Sequence, residues 1–133
     1  MEKLNVEQLR SQFKAKPFYR LVEHYLTKEK RTNELKEAVL ATIDLLPPSL
    51  RQLSIAFIER WNEYSYEREF WQKDTSKVFS EIIDDARAAL AWFDAPTDDE
   101  TLFNMFQMVV LSYAYSASDQ PSMREFIGIQ GEQ

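Results

Sequence analysis

The sequence predicts an all-α fold, a compact antiparallel bundle of five to six helices around one central apolar helix at about residues 98–118. Three observations predict it. Only two glycines occur, Gly128 and Gly131, whereas tight hairpin turns with positive φ draw on glycine or asparagine. Apolar residues recur at helical spacing through most of the chain, and that period is the main signal for amphipathic helix. Finally, Thr101 to Ser118 is a run of eighteen residues with no charged side chain.

That run is the expected hub. Thr97, Asp98, Asp99 and Glu100 precede it as a Thr-x-x-Glu capping box, in which hydroxyl and carboxylate each satisfy an unpaired backbone N–H. Pro96 ends the preceding helix, and the acids of the first turn complement the helix dipole. Leu102, Phe103, Phe106, Val109, Val110 and Tyr113 recur at helical spacing, while Met105, Met108, Leu111 and Tyr115 fill the other faces. A helix apolar nearly all round must be covered nearly all round. The competing reading, a membrane span, needs roughly 20 apolar residues; this run is shorter and interrupted by Asn104, Gln107, Ser112 and Ser116.

The other helices follow in chain order. Asn5 caps a first helix carrying Val6, Leu9 and Phe13, which runs to about Lys16. Pro17 kinks it or opens the next, whose stripe is Phe18, Leu21, Val22, Tyr25 and Leu26. Thr32 or Asn33 caps a third helix with Leu35, Val39, Ile43 and Leu46 inward, stopped by Pro47 and Pro48. Ser49 caps a fourth with Leu50, Leu53, Phe57, Trp61 and Tyr64 on one face, which Arg68 and Trp71 extend if the helix continues. Residues 62–73 read as helix or loop. Asp74 or Thr75 then caps a helix with a broad apolar face of Val78, Phe79, Ile82, Ile83, Ala86, Leu90 and Phe93. Beyond the hub, Met123 to Ile127 suits one docked turn before a frayed tail at 128–133.

A chain of 133 residues fits one domain with its own core. It contains no cysteine, which excludes disulfides, thiol catalysis and cysteine-type zinc sites. The N-terminal stretch is charged rather than signal-like, and a cytoplasmic location is expected. The formal net charge of −6 is unevenly spread. Residues 1–60 carry eleven Lys or Arg against eight acids, a balance of +3, and residues 61–133 carry five against fourteen, a balance of −9. Such asymmetry reflects internal pairing, head-to-tail association, a partner that sees one half, or uneven solvated faces.

Catalytic chemistry has few candidates. His24 is the only histidine; with no nucleophile at helical spacing to activate, it reads as a partly exposed surface residue. Glu34 with Glu37 and Glu81 with Asp84 are carboxylate pairs at spacing three, each on one helix face. This pattern resembles the all-helical nucleotide pyrophosphohydrolases at those four positions. The resemblance implies a magnesium site built from the two pairs on facing helices, although the segment between them, with Pro47 and Pro48, is longer than that family's pattern. Phosphate-cradling glycine loops are lacking. The net negative charge argues against nucleic acid as a partner, despite Arg10, Lys14, Lys16, Arg20, Lys28, Lys30 and Arg31. Neither a cofactor nor a membrane is expected.

The expected binding stretch is Arg60 to Trp71, where Trp61, Tyr64, Tyr66, Arg68, Phe70 and Trp71 interleave with Glu59, Glu63, Glu67 and Glu69. Tyr, Trp and Arg dominate interface energetics, and these aromatics are too many for one core-facing stripe. The bland alternative places them all in the core under the first two helices. The leading expectation is a non-catalytic, acidic interaction protein, of adaptor, inhibitor or immunity type, that occupies a partner's basic surface. The alternatives are the magnesium-dependent hydrolase and a homodimer with the aromatic segment as its own interface.

Overall fold

The computed structural model describes residues 6–28 and 32–120, which are all-helical. Seven α-helices follow in order: α1 (Val6–Phe13), α2 (Phe18–Lys28), α3 (Thr32–Asp44), α4 (Arg51–Asn62), α5 (Arg68–Gln72), α6 (Thr75–Trp92) and α7 (Asp99–Asp119). Two 3-10 turns, Pro48–Leu50 and Glu63–Tyr66, flank α4. The cap at Asn5, the docked turn at 123–127 and the tail at 128–133 lie outside the described residues. Among the described residues no helix is long and apolar enough to cross a membrane.

The hub is α7, which packs against α2, α3, α4 and α6. Every residue from Met105 to Ala114 is buried, so the uncharged run is covered on all sides. Each large apolar side chain removed from water in this way contributes roughly 1.5–3 kcal/mol. The polar residues in the run are satisfied between helices. Ser112 Oγ donates to Asn62 Oδ1 at 3.0 Å, and buried Gln107 hydrogen-bonds the Tyr25 phenol.

Helices pack on the hub in both directions. Ser118 Oγ donates to Thr32 Oγ1 at 3.2 Å, and Lys36 and Val39 lie beside Tyr115 and Ser116, so α3 and α7 run in opposite directions. In contrast, Ser54 faces Met105 and Asn62 faces Ser112, so α4 advances in parallel with α7. Short loops impose opposite directions only on sequence neighbours, and α4 and α7 are not neighbours.

Three boundaries differ from the sequence expectation. The cap of α7 is Asp98, not Thr97: its carboxylate accepts from the Thr101 N–H at 3.2 Å and from the Thr101 hydroxyl at 2.7 Å. A carboxylate is the stronger acceptor, and these bonds hold the Asp98 pKa below its ordinary value. Ser49 does not cap α4; Pro48 opens a 3-10 turn that leads into it. Phe93, expected on the inner face of α6, is 61% exposed. It lies beyond the last helical residue, where the chain has left the periodic face.

Two interhelical links are clamped together. Phe18 N–H donates to Lys73 O and Thr75 N–H to Lys16 O, both at 2.8 Å, and the buried Thr75 hydroxyl donates to Lys16 O at 2.7 Å. Asp74 caps α6 through the Ser76 N–H at 2.7 Å. This clamp fixes α5 against the start of α2.

Candidate functional site

The segment 62–73 is neither one helix nor a loop. Glu67 is extended, with φ −103° and ψ 108°, and it separates the 3-10 turn from α5. Steric phase explains the break. In an unbroken helix at 100° per residue, Arg68 would share the face of Trp61 and Phe70 would lie opposite. The interruption resets the phase, so that Phe70 and Trp71 enter the core and Arg68 stays exposed. Burying an Arg there without a partner would cost several kcal/mol.

Trp61, Phe70 and Trp71 are therefore core residues, as the alternative reading of the aromatic segment expects for these three. Trp71 lies between Phe18 at 5.5 Å and Tyr113 at 4.8 Å, and its indole N–H donates to Ser65 O at 3.2 Å. The Trp61 indole donates to Asp85 Oδ2 at 2.8 Å, and Arg60 pairs with that same oxygen, tying α4 to α6. Burial pushes the Tyr113 phenol up from its ordinary pKa, and the nearby Tyr64 and Glu67 add to the shift.

The other three expected contacts lie at the surface. Tyr64 is 40% and Tyr66 74% exposed, and Arg68 is exposed beside them. They border an open cavity of about 480 Å³ whose floor is formed by Trp61 and Phe70. Tyr64 stacks on Phe70 at 5.3 Å, which fixes one wall. The rim carries Glu67, Glu69 and Glu81 against Arg68 and Lys73, and Lys73 Nζ lies 3.3 Å from Glu81. Aromatic faces beside carboxylates receive cationic groups well, by cation–π attraction and charge-assisted hydrogen bonds.

The carboxylate quartet does not assemble. Among the described residues no three His, Asp or Glu side chains gather closely enough to hold a metal ion. Glu34 and Glu37 sit on α3, which packs on α7 and α4, whereas Glu81 and Asp84 sit on α6. Glu81 pairs with Lys73 and Asp84 with Arg87 at 3.1 Å. The helices that carry the two pairs are not among one another's main packing partners in the bundle. His24 is half-buried, edge-on to Phe13 at 5.6 Å and to Tyr25 at 5.8 Å.

Sequence reasoning missed a second surface. Trp92 is 81% exposed next to Phe93. Both stand at the C-terminal end of α6, beyond Leu90, the last buried residue of its inner face.

Comparison with protein-family models, with curated proteins and with solved structures finds no match.

Proposed function

We propose that this chain is a non-catalytic protein-interaction module, of adaptor, inhibitor or immunity type, that acts in the cytoplasm by occupying a basic surface of a protein partner. The observation that supports this reading is the acid-rimmed aromatic cavity. Tyr64 and Tyr66 are exposed at its edge while Trp61 and Phe70 form its floor. A cavity whose floor belongs to the core is already ordered before binding, which lowers the entropic cost of association. Its carboxylates and the −9 balance of residues 61–133 favour encounter with a cationic surface.

The test is quantitative co-purification from native host cells, with wild type compared with a Tyr64→Ala/Tyr66→Ala variant. A partner held by the cavity is depleted with the variant, whereas both proteins keep the same helical signal. A partner recovered equally with both would place the contact elsewhere.

A further inference from the structure

The charge of the aromatic cavity limits what it can hold. Its ionised lining is Glu67, Glu69 and Glu81 against Arg68 and Lys73. Lys73 is paired with Glu81 at 3.3 Å, which leaves Glu67 and Glu69 against Arg68, an excess of one negative charge. Among the described residues neither Glu67 nor Glu69 enters an ion pair, and Glu67, although it precedes α5, makes no capping bond with its carboxylate. Its charge is felt in the interior, where it helps to raise the Tyr113 phenol. The aromatic surface is equally restrictive. Tyr64 is held by Phe70 at 5.3 Å and by Trp61 at 5.1 Å. It keeps 40% of its surface open, whereas Phe70 and Trp61 offer only 3% and 6%. A ligand therefore meets the exposed rings of Tyr64 and Tyr66 and two carboxylates that lack a cation of their own.

We infer that the cavity receives a single arginine side chain of the partner, with its guanidinium stacked on Tyr64 and donating to Glu67 and Glu69. This rests on the reading of the cavity as the partner-binding site and names the group that anchors the partner's basic surface. A guanidinium is flat and weakly hydrated, so its face stacks on an aromatic ring while its edge still donates to carboxylates. An ammonium is compact and strongly hydrated, and uses the ring face less well in a cavity open to water. The excess of one negative charge is neutralised by one such cation, and a volume of about 480 Å³ gives it ample room. A polybasic segment would leave its further charges facing Arg68 and Lys73.

Blocked tripeptides with arginine, lysine or citrulline at the centre, titrated into the full chain and followed by the ring resonances of Tyr64 and Tyr66, test this. The arginine peptide binds saturably with a dissociation constant on the order of 1 mM, as one stacked and ion-paired group does. The lysine peptide and the neutral citrulline peptide bind at least about tenfold more weakly. Glu67→Gln/Glu69→Gln changes two exposed positions, so it keeps the helical signal while weakening the arginine peptide at least about tenfold. Absence of saturable binding, lysine or citrulline bound as tightly as arginine, or full affinity in the double variant overturns the inference. The co-purification result is read separately: a partner depleted with Tyr64→Ala/Tyr66→Ala although the arginine peptide does not bind leaves the interaction module standing and removes only the arginine.

Discussion

Tyr113 donates its phenolic hydroxyl to the backbone carbonyl of Trp61, so the central helix holds the chain at the point where α4 gives way to the 3-10 turn. The last carbonyls of a helix lack intrahelical donors, and this one is buried. Tyr113→Phe leaves it with a poorer partner set, and chemical denaturation is expected to show a loss of about 1–2 kcal/mol. Hydrogen exchange in the variant should rise first in 63–72. Unchanged protection there would mean that the bond does not position the segment.

The division of the aromatic segment predicts opposite outcomes for its members. Trp71→Ala removes a fully buried side chain between Phe18 and Tyr113 and is expected to cost about 3–5 kcal/mol. Tyr66→Ala, at the surface, stays within about 0.5 kcal/mol of wild type. Thermal melts of the two variants distinguish them, and equal shifts would show that the segment is not divided between core and rim.

This division also marks where the sequence was legible. The hub at 98–118 was readable because eighteen uncharged residues have no stable place other than the interior. The stripe residues Leu35, Ile43, Val78, Ile82 and Leu90 were readable from their period and are buried. The break at Glu67 was not, because no Gly or Pro marks it; what forces it is tertiary, the burial of Phe70 and Trp71 beside Phe18. Of the expected contacts, Tyr64, Tyr66 and Arg68 border the cavity while Trp61, Phe70 and Trp71 belong to the core. Residue type alone does not separate the two groups. Phe93 was misplaced for the opposite reason, since an aromatic at helical spacing from an apolar face reads as part of it.

The end of α6, where the Ala95 and Asp94 N–H groups donate to Leu90 O and Ala91 O at 2.9 and 3.0 Å in a Schellman motif, predicts a stabilising substitution. Asp94 holds a left-handed conformation at φ 55°, which costs a residue with a Cβ but not glycine. Asp94→Gly is expected to raise stability by about 0.5–1 kcal/mol, measured by chemical denaturation. A destabilised variant would show that the Asp94 side chain contributes more than its backbone costs.

Alkaline titration probes the core directly. Burial raises the Tyr25 phenol to about 12, with its Gln107 partner acting in the opposite direction, and Tyr113 moves the same way. A phenol whose folded pKa is raised contributes stability that is fully present below the unfolded value near 10 and is lost as pH rises through the folded value. Between those limits the unfolded chain holds fewer protons, so stability falls by up to about 1.4 kcal/mol per pH unit for each such group. Tyrosinate absorbance should show Tyr25 and Tyr113 ionising only as helicity is lost. Tyr25 and Tyr113 ionising while the helices persist would contradict this burial.

The most direct test of the central claim is calorimetric titration of the co-purified partner with wild type and with Tyr64→Ala/Tyr66→Ala, at low and high salt. Attraction between the acid-rimmed cavity and a cationic surface predicts binding that weakens as salt rises and falls at least about tenfold in the variant at either salt. Salt-independent binding that the variant leaves intact would contradict the claim.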